Sequence, residues 1–244
     1  MKILVIPDVH GRDFWIEPCK CIDQFDKVIF LGDYHDPYPF QVSDKVSRHR
    51  LRDNLVPFVE EHKDKVICLL GNHDGNYLIG EMADRFDRYH HNEVQVLLRH
   101  MDLKLAYQEG KYLFTHSGVL PHWLDVNGLT LQDVLGGDVD NRALLMISPY
   151  RGGWDRCGSC IWGDIEEFSQ SEKIEGLYQI FGHTQMDEAR ILSRPVPKEF
   201  ESAFLAQFTD TSDIDRMKKA WKNIDAGYAD HIRTNFPEID LPKL

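Results

Sequence analysis

Short apolar runs recur along the chain, and each one stops at a small group of polar residues. Their length and their content of β-branched residues predict buried strands. Four of these runs are Lys2–Ile6, Lys27–Leu31, Lys65–Leu70 and Leu177–Phe181. Two further runs, Leu103–Gln108 and Lys111–Phe114, flank Glu109-Gly110, which predicts a β-hairpin.

Helical patterns lie between these runs. Asp13–Ile22 is one, and a second starts at the cap residue Ser43 and runs toward His62, with Pro57 expected to kink or split it. Gly75–Met101 is mostly helical by pattern, and Lys198–Phe208 also looks helical. Strand and helix alternate in the first half, which predicts parallel βαβ units, whereas the hairpin indicates a mixed sheet or two packed sheets. Ile161-Trp162 is a further short strand candidate.

The polar residues after the runs are types that bind metals. In open α/β sheets, ligands gather at the carboxyl ends of strands. Each segment alone is more typical of an ordinary turn, but the repetition favours one shared site. The candidate ligands are Asp8, His10, Asp33, Asn72, His116 and His183. This mixed oxygen and nitrogen set suits Mn, Fe or Zn better than Ca. Six ligands fit two metal ions that share a carboxylate, and Asp33 is the natural bridge.

Composition narrows the function classes. The chain has 244 residues, 42% of them hydrophobic, which predicts one domain over residues 1–244. The formal net charge of −12 argues against a stable nucleic-acid partner.

Five irregularly spaced cysteines do not suggest a disulfide framework, and Cys157 and Cys160 are interpreted as structural. No apolar run is long enough for a signal peptide or a membrane span, so we expect a cytoplasmic protein without membrane contact.

Taken in order, five segments resemble the signature of the calcineurin-like metallophosphoesterases, and most closely their phosphoprotein phosphatase branch, which includes small bacterial and phage-type enzymes. The segments are Asp8-Val9-His10, Gly32-Asp33-Tyr34-His35-Asp36, Gly71-Asn72-His73-Asp74, Thr115-His116-Ser117-Gly118 and Gly182-His183-Thr184. The resemblance implies an α/β fold of two mixed β-sheets packed as a sandwich and flanked by helices, with the metal site at the carboxyl ends of strands.

The resemblance also implies a role for each position. Asp8 and His10 would hold the first metal ion, Asp33 would bridge, and the second ion would be held by Asn72, His116 and His183. A metal-bound hydroxide would attack a phosphate monoester in line. His73, paired with Asp36, would protonate the leaving group. Two divalent ions are expected as cofactors, with Mn foremost in vitro and Fe or Zn as alternatives.

The chain departs from the family pattern at several positions. In the protein phosphatases, an arginine that binds phosphate directly follows the second aspartate of the second segment. That aspartate is Asp36 in this chain, and the residue after it is Pro37. Arg151, in a Gly-rich setting, is the first candidate to replace it, and Asn72 is a further candidate for phosphate contact. Many relatives outside the phosphatase branch have a second histidine at the place of Gln185, which could support the site. His35 is either a further supporting group or a packed loop histidine.

Several interpretations of function stay open at this point. The substrate is expected to be a phosphoprotein or a nucleotide such as diadenosine tetraphosphate. A phosphodiesterase or nuclease of the same superfamily is one alternative, and a non-catalytic metal-binding scaffold is another. Residues 195–244 carry no motif and are expected to form a helical extension or a lid. The oligomeric state is not predicted.

Overall fold

The computed structural model describes residues 1–79 and 84–184, and the backbone of residues 203–205. The strands are β1 (Ile3–Ile6), β2 (Lys27–Phe30), β3 (Val66–Cys68), β4 (Ala106–Glu109), β5 (Tyr112–Thr115), β6 (Tyr178–Ile180) and β7 (Ala203–Leu205). The α-helices are α1 (Ile16–Cys19), α2 (Asp44–Arg50), α3 (Val56–Glu61), α4 (Asn72–Ile79), α5 (His91–Arg99), α6 (Pro121–Asn127), α7 (Leu131–Gly136), α8 (Asn141–Leu144) and α9 (Ile165–Gln170). Single 3₁₀ turns lie at Ile22–Gln24 and Pro149–Arg151.

The strands form two sheets. The first has the order β3-β2-β1-β7, and all of its pairs are parallel. The second has the order β4-β5-β6, with an antiparallel β4–β5 hairpin and a parallel β5–β6 pair. The predicted α/β class with two sheets and flanking helices is therefore confirmed. Within the described residues only the second sheet is mixed, because the connections of the first are crossovers through helices.

Successive side chains of a strand point to opposite faces of its sheet, so the residues of the first sheet divide into two sets. Ile3, Val5 and Ile29 belong to the same buried cluster as Phe114 and Ile180 of the second sheet, so the sheets pack face to face. The alternate residues of β1 and β2 face the helices, in a cluster with Trp15 of the β1–β2 connection and with residues of the π-helical turn Leu51–Leu55, α3, α4 and α5. These strand residues are Leu4, Ile6, Val28 and Phe30. Both faces of the parallel sheet are covered, as is usual for such sheets.

The predicted helix from Ser43 is present, and the Ser43 hydroxyl accepts a hydrogen bond from the amide of Val46. A π-helical turn at Leu51–Leu55 lies between α2 and α3, just before Pro57. Pro57 has no N–H group to donate to the preceding turn, which explains why the regular helix changes there.

Three other expectations change. Ile161-Trp162 lies in a turn rather than a strand. The described part of Gly75–Met101 contains the end of α4 and the whole of α5, with non-helical residues at 84–90. Residues 203–205 lie within the predicted helix Lys198–Phe208, but they form β7, which pairs with β1. The rest of residues 195–244, and Gln185, lie outside the described residues. All five cysteines are free. No helix in the described part is long and apolar enough to cross a membrane.

The layer between the sheets yields a stability prediction. Phe114 is 0% exposed there, so Phe114→Ala should lower the free energy of unfolding by about 3–5 kcal/mol, the usual cost of removing a buried aromatic side chain. Tyr89, 93% exposed, is the matched control, and Tyr89→Ala should cost less than about 0.5 kcal/mol. Urea unfolding measures both. Equal stability of the two variants would contradict a face-to-face packing of the sheets.

Candidate metal centre

The predicted ligands come together at one edge of the two sheets. Each follows the end of a strand: Asp8 and His10 follow β1, Asp33 follows β2, Asn72 starts α4 after β3, His116 follows β5 and His183 follows β6. In the first sheet this is the carboxyl edge common to its parallel strands. The parallel pairing of β5 with β6 brings His116 and His183 to the same place.

Asp33 lies at the centre of the group. Its Oδ2 is 3.5 Å from Nε2 of His10 and 3.5 Å from Nε2 of His116. Two sets of potential ligand atoms, each within 4.8 Å of one another, share this residue: His10, Asp33 and His73 form one, and Asp33, His116 and His183 the other. A carboxylate common to two sets is the arrangement that a bridging role requires.

Asp8 lies at the same edge but outside these two sets. Its Oδ1 accepts a hydrogen bond of 3.1 Å from the main-chain N–H of His183 and lies 3.9 Å from Nδ1 of His116. The carboxylate therefore orients the loop that carries His183. The first set contains His73 instead, the residue to which the family resemblance gives a role in proton transfer.

Hydrogen bonds determine which imidazole nitrogens carry lone pairs. Nδ1 of His10 lies 3.0 Å from the carbonyl oxygen of His35, and Nδ1 of His116 lies 2.7 Å from that of Leu31. A carbonyl can only accept, so in each neutral ring Nδ1 carries the hydrogen and Nε2 carries a lone pair. The Nε2 lone pair of His116 meets Oδ1 of Asn72 at 3.0 Å, another acceptor. Nδ1 of His183 also lies 3.0 Å from this Nε2.

A metal cation bound between these converging lone pairs would relieve their mutual repulsion. The donor set of imidazole nitrogens, carboxylates and an amide oxygen is one that divalent transition metals bind. Nε2 of His183 is also buried without a hydrogen-bond partner among the described residues. The residues present thus fit a metal centre.

Burial keeps the candidate imidazoles neutral. Loss of solvation lowers the pKa of His10, His116 and His183 below the usual value for histidine. A neutral imidazole is the form that binds a metal. Burial likewise raises the pKa of the Asp33 carboxyl, with smaller contributions from Asp8 and Asp36. A cation against Asp33 would oppose that rise, because it favours the ionised form.

Asp74 holds the loops in position. Its buried carboxylate accepts three main-chain hydrogen bonds: from Asp33 at 2.6 Å, from Tyr34 at 2.9 Å and from Gly71 at 2.9 Å. The loops after β2 and β3 approach so closely that a Cβ on Gly71 would lie 2.1 Å from Oδ1 of Asp33. The candidate set from the sequence did not include Asp74. Its acidic side chain in the first turn of α4 is the signal that could have identified it.

Non-glycine backbone strain is concentrated in the same region. Six non-glycine residues have a positive φ among those described, and five of them contact or belong to the centre. They are His10, Asp33, Asp36, Arg85 and His183, with φ of 46°, 56°, 54°, 64° and 68°. Such conformations cost free energy and persist where the surroundings enforce them, most often at functional sites.

His73 and Asp36 form the predicted pair. Nδ1 of His73 lies 2.8 Å from Oδ2 of Asp36, and the hydroxyl of Tyr77 donates to the other carboxylate oxygen. The main-chain N–H of His73 also donates to Oδ1 of Asp33 at 2.9 Å, so the pair is tied to the central carboxylate. Burial raises the pKa of Asp36 to about 7. Tyr77 was not predicted from the sequence.

Arg85 is a second residue that the sequence interpretation missed. Its Nη2 lies 3.0 Å from Nε2 of His73, and its Nη1 donates to the main-chain oxygen of Asp36 at 2.6 Å. A guanidinium can only donate, so Nε2 of His73 is the acceptor and Nδ1 carries the hydrogen that Asp36 receives. The helical pattern over Gly75–Met101 gave no reason to place this side chain in the centre.

Arg151 reaches the other side of the centre. Its Nη2 donates to Oγ1 of Thr184 at 2.8 Å, and its Nε donates to the oxygen of Gly163 at 3.0 Å and lies 3.3 Å from Oδ2 of Asp164. Burial lowers the pKa of Arg151, while the carboxylates of Asp164, Asp8 and Asp33 oppose that change. Its Nη2 also donates to the main-chain oxygen of His183 at 3.4 Å, so the guanidinium lies beside a candidate metal ligand.

The ring of His35 points away from the metal ligands. Its Nδ1 lies 2.5 Å from Oγ of Ser47, and only its main-chain oxygen meets a candidate ligand, His10. Burial lowers the pKa of His35 to about 4. His35 thus supports the orientation of His10 through its backbone. Gln185 cannot be placed, because it lies outside the described residues.

Residues 1–187 match the family described as calcineurin-like phosphoesterase. The chain belongs to this family. A comparison with curated proteins returned no significant match in sequence.

One solved structure shares the fold over most of this chain, and two others match smaller parts. A cold-active protein-tyrosine phosphatase from a Shewanella species is 17% identical, with a TM-score of 0.50 over 77% of this chain and 66% of that one. A metallophosphoesterase from Sphaerobacter thermophilus is 22% identical, with a TM-score of 0.32 over 48% and 47% of the two chains. A serine/threonine phosphatase from Saccharomyces cerevisiae is 20% identical, with a TM-score of 0.31 over 49% and 38%. The chain spans about two thirds of the length of this cold-active protein-tyrosine phosphatase, and about half of the length of two other structures of cold-active protein tyrosine phosphatase.

The role of Asp74 can be tested by Asp74→Asn. An amide cannot accept all three main-chain hydrogen bonds, since its NH₂ group must face one N–H. We expect a loss of about 1–3 kcal/mol in stability and a roughly 10- to 100-fold loss in Mn²⁺ affinity. Thermal unfolding and calorimetric titration with Mn²⁺ measure the two effects. The exposed Asp64→Asn is the control; matching values for both variants would refute the anchoring role.

Proposed function

We propose that the protein hydrolyses phosphate monoesters with two divalent metal ions held on either side of Asp33. The observation that carries the proposal is the position of Asp33 between two sets of potential ligand atoms, with the His73–Asp36 pair directly beside it. Asp8 and His10 are assigned to one ion and Asn72, His116 and His183 to the other. When bound, such ions act as Lewis acids and lower the pKa of water near neutrality.

His73, positioned by Asp36, is assigned the protonation of the leaving group. Asp36 holds the His73 ring by its Nδ1 hydrogen, which leaves Nε2 to face the reacting group. Protonation of the leaving alkoxide requires a hydrogen on that same Nε2. Because Arg85 now donates to Nε2, the guanidinium has to leave this position before His73 can serve as the acid.

Arg151 and Asn72 are assigned to the substrate phosphate. Arg151 lies near His183 and the carboxylates of Asp8 and Asp33, and a guanidinium suits the oxygens of a terminal phosphate. This favours a monoester over a diester. Phosphoproteins and nucleotides such as diadenosine tetraphosphate are the substrate classes to compare, and turnover on a panel of these ranks them.

Two alternatives give different results in the same assays. A phosphodiesterase or nuclease would prefer bis-p-nitrophenyl phosphate or DNA over p-nitrophenyl phosphate. A metal-binding scaffold would bind two ions and turn over none of these compounds. The Mn preference, the cytoplasmic location and the single domain over residues 1–244 stay predictions.

His73→Ala tests the acid. With Mn²⁺ and p-nitrophenyl phosphate we expect kcat to fall about 10²- to 10⁴-fold, because a positioned acid contributes roughly that factor. Two Mn²⁺ per chain should remain bound, as measured by elemental analysis after desalting. The exposed His122→Ala serves as control and should keep its kcat. A kcat in His73→Ala within threefold of wild type would remove His73 from the mechanism.

Asp33→Asn tests the bridge. An amide offers one neutral acceptor in place of two charged oxygens, so we expect both Mn²⁺ ions to bind at least about 10-fold more weakly. Calorimetric titration of the wild type and the variant measures this. Two unchanged Mn²⁺ affinities, or the loss of only one ion, would show that Asp33 is not shared.

A further inference from the structure

We propose that Arg85 binds the substrate phosphate, opposite Arg151, and also binds the inorganic phosphate that the reaction releases. This inference rests on the proposed function and extends it to a residue outside the predicted set. Arg85 lies in the segment between α4 and α5, and its guanidinium reaches the His73–Asp36 side of the centre.

The hydrogen-bond partners of Arg85 are weak ones for the guanidinium of a half-buried arginine. It contacts a main-chain oxygen and an imidazole nitrogen, and no carboxylate lies within salt-bridge distance among the described residues. The side chain of the neighbouring Asp36 is already occupied by His73 and Tyr77. By contrast, Arg48 pairs with Asp87 and Arg50 pairs with Asp13. A guanidinium pairs most strongly with a carboxylate or a phosphate, and the described residues give Arg85 no carboxylate partner.

Donors remain available on Arg85. A guanidinium has five N–H groups in a planar fork, and two hydrogen bonds use only two of them. The others have no acceptor in the described part of the chain. A phosphate that approaches the centre could therefore bind without first breaking a salt bridge to any carboxylate in the described ranges, and it would be a stronger partner than Nε2 of His73.

Arg85 is also held in place. Its guanidinium carbon lies 3.9 Å from the centre of the Tyr38 ring, within cation–π distance. The edge of Tyr38 in turn packs on the ring of His10, with centroids 5.5 Å apart, which links this platform to a candidate metal ligand. The backbone of Arg85 has a φ of 64°, a conformation that costs free energy in a non-glycine residue. Stacking and strain together direct the fork to the centre.

The test compares phosphate binding by the full-length, Mn²⁺-loaded wild type and Arg85→Ala. Calorimetric titration with inorganic phosphate should show a Kd raised about 10- to 150-fold in the variant, the range for a lost hydrogen bond to a charged group. Arg85→Lys keeps the charge but not the fork, so its Kd should lie between those of wild type and Arg85→Ala. Bound Mn²⁺ should stay at the wild-type level in both.

Arg88→Ala is the matched control, because Arg88 is an exposed arginine three positions further along the same segment. Its phosphate Kd should stay within twofold of wild type. If Arg85→Ala does not fold, Arg85→Lys decides alone, and a phosphate Kd within twofold of wild type overturns the proposal. A lower kcat for p-nitrophenyl phosphate with unchanged phosphate Kd also overturns it, since Arg85 would then only position His73.

The two proposals fail differently. If the wild type binds phosphate but hydrolyses no phosphoester with any metal tested, the proposed function is wrong, and the Kd comparison still decides on Arg85. If the wild type hydrolyses phosphoesters and Arg85→Ala binds phosphate like wild type, only the assignment of Arg85 is wrong. A wild type that binds Mn²⁺ but no phosphate overturns the assignment of Arg85, while turnover of p-nitrophenyl phosphate still decides on the proposed function.

Discussion

The centre depends on one electrostatic constraint, the convergence of lone pairs on Asp33. Nε2 of His10 and Nε2 of His116 approach the same carboxylate oxygen, and main-chain carbonyls bind the hydrogens on the far sides of both rings. Neither nitrogen can supply a hydrogen to Asp33 while the rings are neutral, and burial disfavours their charged forms. A cation is the partner that makes this arrangement favourable.

The scaffold supports that convergence at a cost in conformational energy. Three main-chain hydrogen bonds to Asp74 and the lack of a side chain at Gly71 bring two loops together, and positive φ values at His10, Asp33 and His183 aim the ligands inward. Asp74 lies in the first turn of α4, and the loops that follow β1, β2 and β3 start from strands that are buried on both faces. The two packed sheets thus provide the rigidity that strained loops require.

The sequence was informative where chemistry and pattern coincide. Each predicted ligand follows an apolar run, so its position at a strand end could be derived from local pattern alone. The hairpin left a mixed sheet or two packed sheets open, and the family resemblance implied the two sheets. Asp74 lies in one of the recognised segments, but its anchoring role could not be found this way, and neither could Tyr77 or Arg85. Asp74 and Tyr77 act through contacts with loops distant in the chain, and Arg85 lies in a stretch with a helical pattern. That pattern was overridden where the chain turns back toward Tyr38. For Ile161-Trp162, tertiary contacts likewise prevailed over β-propensity.

The contact between Arg85 and His73 places an order on the proposed reaction. One nitrogen, Nε2 of His73, is needed for the leaving-group proton and is also the present partner of Arg85. Both uses cannot hold at once, because a protonated Nε2 would set two donors against each other. A phosphate that takes over the guanidinium resolves the conflict, since it gives Arg85 a stronger partner and frees Nε2 at the moment the substrate is in place. Substrate binding and the readiness of the acid would then be coupled through a single side chain, and the acid would stay blocked while no phosphate is bound.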